Sequence, residues 1–292
     1  MKTIREQGLT AMQIIKTVSA MQGMRRGRAR TACVPTMGNL HPGHLDLVRI
    51  AQQHAGEVVV TLFVNRLQFL PGEDFESYPR TFEADCAALE AAGVQTLFAP
   101  TDAELYPEPQ VFRTLPPPAL ADDLEGQFRP GFFTGVATVV NKLFNIVAPD
   151  VAVFGKKDYQ QLMVIRQMVR QLALPIDIIA GETVRAADGL ALSSRNGYLS
   201  DTERAQAPFL RQTLTKTGAA AGAELRAGRA DLADIEQHAC EALRNAGWVP
   251  DYVAVRKQSD LQSPSAQDSE VVVLGAARLG GTRLIDNLEL SL

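Results

Sequence analysis

Apolar and polar positions follow two different periods along the first 180 residues of the chain. Five short apolar runs predict buried β-strands, over residues 31–34, 57–65, 94–99, 151–154 and 176–180. Five stretches with helical spacing or composition predict helices, over residues 10–21, 45–56, 79–92, 134–147 and 158–172. Strands that alternate with helices are typical of a parallel sheet with helices on both faces. The pattern therefore predicts a doubly wound, Rossmann-like α/β fold.

The pattern changes after residue 184. Ser200 followed by Glu203 is a capping box that predicts the start of a long helix, and 230–246 predicts a second helix. Shorter runs predict strands, over 252–256, 271–276 and 283–286. We therefore predict a Rossmann-like ligand-binding domain over 1–184 and a smaller C-terminal α+β lid domain over 185–292.

Composition and charge limit the classes of protein to which the chain can belong. With 292 residues and 46% hydrophobic content, it has the size and composition of a globular protein with a substantial core. The formal net charge of −4 provides no general attraction to nucleic acid. The basic cluster of Arg25, Arg26, Arg28 and Arg30 is interpreted as a solvated segment. No nucleic-acid partner is expected.

The cysteines and the first residues of the chain indicate the cellular compartment. Cys33, Cys86 and Cys240 are odd in number and widely spaced, so we expect small buried hydrophobes rather than a disulfide framework. The first 21 residues contain no long apolar block, so neither a signal peptide nor a membrane span is expected. Both features favour a cytoplasmic protein with no membrane partner.

The segment 35–44 carries two imidazoles and two glycines between a predicted strand and a predicted helix. His41 and His44 are three residues apart, so they share one face of the first helical turn. The backbone N–H groups of that turn have no partner within the helix, and the helix macrodipole is positive there. Gly38 and Gly43 allow a ligand to approach the backbone closely. The segment is therefore typical of a site for nucleotide phosphates.

A metal site and a simple helix cap are the alternative interpretations of the His pair. A stable zinc site usually has three or four protein ligands, whereas the chain holds only four His and three Cys in total. His54 and His238 lie in ordinary helical contexts, so we interpret them as surface or packing residues. We predict no resident metal.

Three further segments carry polar groups that a plain fold does not require. Asn65 and Gln68 follow a predicted strand, and their amides suit a small polar substrate, with a strand-end turn as the alternative. The segment 155–158 places two lysines after another strand, where they neutralise phosphate or belong to a solvated loop. The segment 188–196 is either a mobile Ser/Arg loop that closes over a triphosphate or an ordinary Asp-Gly turn. Because parallel sheets bind ligands at the carboxyl ends of their strands, one crevice is expected to collect the His pair and the first two segments.

Together these segments resemble the pantoate–β-alanine ligase family, part of the nucleotidyltransferase superfamily marked by a His-x-Gly-His motif. The resemblance covers essentially the whole chain, with motifs in family order over 35–44, 129–140, 157–161, 193–196 and 283–287. It implies that ATP activates pantoate as pantoyl adenylate and that β-alanine then displaces AMP. It also implies Mg²⁺ bound mainly through the phosphates, and a homodimer.

The resemblance assigns roles residue by residue. The implied ATP-binding positions are Met37, Gly38, Asn39, Leu40, His41, Pro42, Gly43, His44, Gly155, Lys156, Lys157, Asp158, Val184, Leu192, Ser193, Ser194 and Arg195. Among them, His44 matches the family's proton donor, and His41 assists at the phosphates. Lys157 and Arg195 are expected to stabilise charge in the adenylation transition state.

The small substrates have their own implied positions. Gln68 is expected to hold both pantoate and β-alanine, and Gln161 matches a second glutamine that binds pantoate. Asn65, Val139 and Val140 are expected to shape the pantoate pocket. For the two valines, packing in the core is the alternative.

Three positions depart from the commonest family pattern. Arg66 stands where the family usually has proline, Lys156 where it usually has glutamate, and Phe132 where histidine is frequent. Lys156 adds positive charge near a polyphosphate, which is tolerable if this position contributes mainly backbone contacts. Arg66 points either to solvent or to the mouth of the pantoate pocket. None of the three removes a residue assigned to chemistry.

Two other functions compete with the ligase. A different nucleotidyltransferase of the same fold, such as a cytidylyltransferase or a phosphopantetheine adenylyltransferase, shares the His motif, but Gln68 and Gln161 favour a small carboxylate substrate. A nucleotide-sensing or tRNA-binding module related to synthetase catalytic domains is disfavoured by the acidic charge balance.

Overall fold

Two β-sheets organise the chain. The computed structural model describes residues 11–24 and 29–292. In this part the strands are β1 Gln13–Ile15, β2 Thr31–Thr36, β3 Glu57–Leu62, β4 Thr96–Phe98, β5 Val151–Gly155, β6 Asp177–Gly181, β7 Val249–Lys257, β8 Glu270–Leu279 and β9 Thr282–Ser291. The first six pair in parallel in the order β1-β4-β3-β2-β5-β6, and the last three form an antiparallel sheet. The predicted fold class is confirmed.

Helices connect the strands. Those of the described residues are α1 Val18–Gly23, α2 Pro42–His54, α3 Phe82–Ala91, α4 Asp102–Leu105, α5 Pro118–Ala121, α6 Glu125–Phe128, α7 Phe132–Val147, α8 Tyr159–Gln171, α9 Asp201–Gln206, α10 Phe209–Arg226 and α11 Ala233–Asn245. Short 3₁₀ turns occur at Arg66–Gln68, Lys156–Asp158 and Ser194–Tyr198. The first two of these turns follow strands of the parallel sheet, where ligand-binding loops are expected.

Alternation along the central strand β2 places its side chains on opposite faces of the parallel sheet. Ala32 and Val34 pack with residues of α2 and α3 in one apolar core. Cys33 packs on the other face with residues of α7 and α8. All three side chains are fully buried. The sheet is therefore covered on both faces, which explains why its strands read as continuous apolar runs.

The carboxyl ends of β2 and β5 meet where the strand order reverses its direction across the sheet. β2 pairs with β3 on one side and with β5 on the other. β4 lies outside β3, and β6 lies outside β5. Ligands of open parallel sheets bind in the crevice at such a switch point. The loops after β2, β3 and β5 are thereby brought to one edge.

The antiparallel sheet packs on both of its faces. Val271 and Val273 contribute to a core with residues of α10 and α11. Val272 and Leu274 point to the opposite face and join the larger core that contains α7 and α8. The C-terminal sheet therefore shares a buried apolar core with the helices that cover one face of the parallel sheet.

Some predicted element boundaries are wrong, and each error has a local cause. The stretch 10–21, predicted to be helical, contains strand β1, which pairs with β4, and α1 begins only after the N-cap Thr17. The predicted long helix after Ser200 is two helices, because Pro208 has no N–H with which to continue α9. Strands β7 to β9 are longer than predicted, since antiparallel pairing continues through their polar positions.

The remaining expectations from composition have mixed outcomes. Of the basic cluster, Arg25, Arg26 and Arg28 lie outside the described residues, and Arg30 forms an exposed ion pair with Asp177. Cys33 is buried, whereas the other two cysteines are half-buried. Within residues 11–24 and 29–292, every helix is too short or too polar to cross a membrane.

Candidate active site

His41 and His44 cap the N-terminus of α2 together. His41 is the N-cap residue, and its Nδ1 accepts a hydrogen bond from the N–H of Gly43 at 3.1 Å. Nδ1 of His44 accepts one from the N–H of His41 at 3.2 Å. The two ring centroids are 4.0 Å apart. The predicted helix N-terminus is confirmed, and the two imidazoles form a reciprocal capping box.

Both imidazoles are neutral at neutral pH. Burial and the charge of Lys157 lower the pKa of His41 to about 4, against a smaller opposing effect of Asp158. Burial and the neighbouring His41 lower the pKa of His44 to about 3. Because each Nδ1 accepts an N–H, the proton of each neutral ring is assigned to Nε2. The pair therefore offers two Nε2–H donors.

A buried carboxylate that the sequence analysis did not single out holds the turn before α2. Asp85 on α3 is only 2% exposed and accepts hydrogen bonds from the N–H groups of Asn39 at 3.0 Å and Leu40 at 2.8 Å. The hydroxyl of Thr81 donates to it at 3.1 Å. Gly38, with a φ of +84°, passes so close that a Cβ there would lie 3.1 Å from an Asp85 oxygen. The only signal in the sequence is one acidic residue between the apolar positions of a predicted helix.

Asn65 positions Gln68 through a fully used side-chain amide. Asn65 is 1% exposed, and its Nδ2 donates to Oε1 of Gln68 at 3.0 Å and to the carbonyl of Gly135 at 3.2 Å. Its Oδ1 accepts the hydroxyl of Tyr106 at 2.8 Å. Nε2 of Gln68 in turn donates to Sδ of Met37 at 3.3 Å. The predicted pair is therefore brought together beside the first residues of the His motif.

Helix α7 packs closely against the turn that carries Gln68. A Cβ at Gly135 would lie 2.2 Å from the carbonyl oxygen of Leu67 and 2.8 Å from Cα of Gln68, so α7 approaches this closely only because residue 135 is glycine. Val139 and Val140 lie one turn further along α7, are 5% and 4% exposed and belong to the main apolar core. The structure thus places both valines in the core, the alternative named above.

The two lysines after β5 have different surroundings. Nζ of Lys156 pairs with the carboxylates of Glu182 and Glu289, each at 2.6 Å, so its single positive charge is more than balanced by two acidic groups. The ion pair that Lys157 makes within the described residues, with Asp158, is 3.7 Å long and therefore weak. Asp158 occupies the N-cap position of α8, but its side chain makes no capping hydrogen bond.

The segment 184–195 lies against the His motif. The N–H of Leu192 donates to the carbonyl of Val184 at 2.9 Å, and the hydroxyl of Ser194 donates to the carbonyl of Asn39 at 3.2 Å. The second of these contacts joins residues that are 155 positions apart in the chain. The predicted Ser/Arg segment therefore meets the loop after β2 in this structure.

Arg195 is bound to a carboxylate. Its Nε and Nη2 donate to the two oxygens of Asp74 at 3.1 and 3.0 Å, a bidentate pair. Asp74 lies in the loop between β3 and α3. Ser193 caps the 3₁₀ turn that carries Arg195, because its hydroxyl oxygen accepts the N–H of Arg195 at 3.3 Å. The guanidinium is therefore held in a defined direction before any ligand binds.

A cavity of about 390 Å³ collects part of the predicted site. Its lining includes Lys157, Asp158, Gln161, Ser193 and Arg195, together with residues of α10, β8 and β9. Neither the His pair nor Gln68 is part of that lining. The charge of Lys157 acts on the pKa of both histidines, so this residue connects the cavity with the His motif.

The other two departures from the family pattern, Phe132 and Arg66, also have defined surroundings. The guanidinium carbon of Arg129 lies 3.8 Å from the ring centroid of Phe132, so the aromatic face packs on a cation. Arg129 also donates to the carbonyl of Gln68 at 3.2 Å. Arg66 is 58% exposed and pairs with Asp102 at 2.9 Å, which corresponds to the solvent-facing alternative.

A further buried ion-pair cluster, which sequence reasoning also missed, joins the antiparallel sheet to helix α6. Arg283 donates to both oxygens of Glu125 at 2.7 and 2.8 Å and to Asp251 at 2.6 Å. The hydroxyl of Tyr252 donates to Glu125 at 3.1 Å. Glu125 is 7% exposed and precedes the segment that carries Arg129. These contacts hold the C-terminal sheet beside the cavity.

Comparison with known proteins identifies relatives that match over nearly the whole chain. A sequence model of the family described as pantoate-beta-alanine ligase matches residues 11–289. A crystal structure of pantothenate synthetase from Thermus thermophilus has a TM-score of 0.88 at 42% identity, covering 96% of this chain and 100% of that one. A crystal structure of pantoate-beta-alanine ligase from Francisella tularensis, complexed with beta-gamma ATP and beta-alanine, has a TM-score of 0.78 at 31% identity, covering 95% and 97%.

Proposed function

Since this chain belongs to the pantoate–β-alanine ligase family, we propose that it uses ATP to join (R)-pantoate and β-alanine into pantothenate. The pantoate carboxylate attacks the α-phosphate of ATP and releases pyrophosphate. The amine of β-alanine then attacks the acyl carbon of pantoyl adenylate and releases AMP. The observation that carries the proposal is the meeting of the His pair, Lys157 and the segment 184–195 beside the switch point of the parallel sheet.

Electrostatic stabilisation is the main task of the adenylation site. Negative charge builds on the α-phosphate and on the departing pyrophosphate, so positioned donors and cations lower the barrier. We assign hydrogen bonds to these phosphates to the Nε2–H groups of His41 and His44. Burial lowers the pKa of His44, so its ring is neutral at neutral pH and its Nε2–H is available to donate to the phosphates. Lys157 supplies positive charge beside the pair.

Arg195 is assigned to the triphosphate through exchange of its partner. Its guanidinium faces the cavity while paired with Asp74. A phosphate offers the same bidentate geometry as a carboxylate, so it competes with Asp74 for Arg195. The rest of the ATP site is assigned to the backbone and side chains of 37–44, 155–158, 184 and 192–195.

The small substrates are assigned to the two glutamines. Gln161 lines the cavity and makes no side-chain hydrogen bond within the described residues, so its amide is available to pantoate. The side chain of Gln68 is hydrogen-bonded to Asn65 and to Met37. These bonds orient its amide for pantoate and β-alanine. Asn65 thereby acts through Gln68, and Val139 and Val140 act as packing beneath it.

Magnesium is assigned to the substrate. The described residues hold no cluster of three His, Cys, Asp or Glu that fits a metal ion. Mg²⁺ usually keeps several waters and binds through substrate phosphates with few protein ligands. We therefore take MgATP as the bound species, with its metal held mainly by the phosphates.

The domain division, the oligomeric state and the compartment remain part of the proposal. We place the boundary after residue 184, which is supported by an apolar core built only from residues beyond it. A homodimer and a cytoplasmic location are carried over from the family resemblance and from the composition. Light scattering tests the dimer, which predicts twice the 31.7 kDa mass of one chain.

The dependence of each product on each substrate tests the reaction. With the purified protein, pyrophosphate release from MgATP is expected only when pantoate is present. AMP release is expected only when β-alanine is added as well. Pyrophosphate release that does not depend on pantoate, or AMP release that does not depend on β-alanine, would contradict the proposed ligase reaction.

Thermal unfolding with candidate ligands separates the ligase from other nucleotidyltransferases. A ligand that binds only the native state raises the midpoint of unfolding. Pantoate is expected to raise it, and phosphorylated alcohols such as phosphopantetheine are not. The opposite ranking would favour a nucleotidyltransferase that acts on a phosphorylated substrate.

A further inference from the structure

Two side chains of β9 in the C-terminal sheet reach the turn that carries Lys157: Glu289 pairs with Nζ of Lys156, and Asn287 contacts the backbone. Nδ2 of Asn287 donates to the carbonyl of Lys156 at 2.8 Å and to the carbonyl of Lys157 at 2.9 Å. Asn287 is 6% exposed, and it is 130 residues from Lys157 in the chain. Both carbonyls belong to the 3₁₀ turn between β5 and α8. A single buried amide therefore holds two successive peptide groups of the proposed ATP site.

The two hydrogen bonds from Asn287 also fix the direction in which the side chain of Lys157 leaves the backbone. In a trans peptide the N–H lies opposite to the C=O, and the described residues contain no cis peptide. With both carbonyls turned to Asn287, the N–H groups of Lys157 and Asp158 face away from it, and the Cα–Cβ direction of Lys157 is set. The weak 3.7 Å pair with Asp158 does not impose this direction. The backbone contact with Asn287 is the stronger constraint on Lys157.

Asn287 is itself anchored on both sides. Its N–H donates to Oδ1 of Asp286 at 2.8 Å, and its carbonyl accepts Nη1 of Arg211 at 2.7 Å. Asp286 is 6% exposed, and its carboxylate accepts hydrogen bonds from both terminal nitrogens of Arg185 at 2.7 and 2.8 Å. Strand β9 also pairs Asn287 with Leu274 on β8. The amide thus acts from a rigid support rather than from a mobile strand.

We propose that Asn287 is a positioning residue of the ATP site, which sets the backbone of Lys157 so that its ammonium group meets the phosphates. The inference rests on the proposed function, because it takes Lys157 to contact ATP. Asparagine suits this role because one side-chain nitrogen carries two N–H donors for two carbonyls. Leucine has a similar shape and no donor, and therefore removes the contact while filling the space.

A double-mutant cycle on ATP binding tests the proposal. Calorimetric titration with MgATP is performed on the full-length wild type, Asn287→Leu, Lys157→Met and the double variant. We expect Asn287→Leu to raise the Kd for ATP by about tenfold, the scale of coupling within one contact network. We expect the double variant to bind no more weakly than Lys157→Met alone, because Asn287 acts through Lys157.

Matched variants separate positioning from a general loss of stability. Ser291→Ala lies on the same strand at an exposed position and is expected to bind ATP like the wild type. Asn287→Gln keeps the amide donors and is expected to recover part of the affinity lost in Asn287→Leu. Thermal unfolding establishes that each variant is folded at the assay temperature. Asn287→Ala, which also lacks a side-chain donor, replaces Asn287→Leu in the cycle if the latter does not fold.

The outcomes distinguish this inference from the proposed function. A folded Asn287→Leu variant with wild-type ATP affinity overturns the inference alone. The inference is also overturned if the losses of ATP affinity in the two single variants add up in the double variant, since Asn287 would then act on ATP independently of Lys157. Wild-type protein that does not bind MgATP overturns the proposed function, and this inference with it.

Discussion

His41 and His44 cap one helical turn with the same ring atom, since Nδ1 of each accepts a backbone N–H while the ring centroids lie 4.0 Å apart. Capping therefore occupies one edge of each imidazole and leaves the Nε2–H edge for a ligand. The glycine of the motif is part of this arrangement, because a Cβ on Gly43 would lie 2.8 Å from Cε1 of His41. Helix capping and phosphate binding are thus two uses of the same pair of side chains.

The lowered pKa values of the His pair predict a pH-dependent stability. In the folded protein the pKa of His41 is about 4 and that of His44 about 3, below the unfolded value of 6.5. The unfolded chain therefore binds more protons between these values, and stability falls as the pH falls from 6.5 towards 4. The midpoint of thermal unfolding, followed from about pH 7 to about pH 4, is expected to fall less steeply in the His41→Asn/His44→Asn double variant than in the wild type. His54→Asn, at an exposed position, is the control and should keep the wild-type slope; equal slopes in all three proteins would contradict the assignment.

Loss of a phosphate-contacting group is expected to slow adenylation strongly. His44→Ala removes one Nε2–H donor, and Lys157→Ala removes a positive charge beside the phosphates. Each is expected to reduce pantoate-dependent pyrophosphate release by about 10²- to 10³-fold, the scale seen when a donor to developing negative charge is lost. The exposed His238→Ala is the matched control. Near-wild-type rates in both site variants would remove these residues from the proposed mechanism.

Gly43→Ala is expected to disrupt the His pair without unfolding the protein. The added methyl group would lie 2.8 Å from Cε1 and 3.0 Å from Nδ1 of His41, so the ring must rotate away. We expect the Kd for MgATP to rise by about tenfold, since one of two phosphate donors is displaced. Gly23→Ala, where nothing lies within 4 Å of the added methyl group, serves as the control. Unchanged ATP binding in Gly43→Ala would show that the His41 ring is not a ligand contact.

Asp85→Asn is expected to weaken both stability and ATP binding. The carboxylate accepts the N–H groups of Asn39 and Leu40 and the hydroxyl of Thr81, whereas an amide has only one acceptor atom. Leaving one buried donor without a partner costs about 1–3 kcal/mol in the free energy of unfolding, measurable by urea titration. Glu83→Gln removes an exposed charge from the same helical turn and controls for the helix macrodipole. Equal effects of the two substitutions would contradict a specific role of Asp85 in the turn.

Arg66→Ala is expected to leave catalysis unchanged. The guanidinium is 58% exposed and pairs with Asp102, and an exposed ion pair contributes about 0–1 kcal/mol. The KM for pantoate and the midpoint of thermal unfolding are therefore expected to stay near the wild-type values. A clear rise in the KM for pantoate would place Arg66 at the mouth of the pocket instead.

Much of the fold could be predicted from the sequence because local patterns carry it. Strands buried on both faces read as continuous apolar runs, and the glycine and proline signals mark where elements end. Errors arose where a local pattern was ambiguous or interrupted. The pattern predicts a helix at residues 13–15, which instead pair with β4, and the helix predicted after Ser200 is interrupted at Pro208. In the first case, pairing with a distant strand outweighs local preference.

The candidate site was predictable only in part. The positions after β2, β3 and β5 followed from the rule that parallel sheets bind ligands at the carboxyl ends of their strands. The partners of individual charges did not follow from any local pattern. Lys156 meets Glu289 across 133 residues of chain, and Arg283 meets Glu125 across 158.

The sequence by itself determined the class of fold, the family and the helix N-terminus that presents His41 and His44, because periodicity and motif order are properties of neighbouring residues. Only the tertiary structure decided that Asp85 holds the turn before α2 and that Asn287 holds the turn of Lys157. The physical reason is that each of these buried hydrogen bonds joins groups that lie far apart in the sequence and meet only when their secondary-structure elements have packed together. The His motif specifies what touches the phosphates, and distant buried polar groups specify where those contacts point.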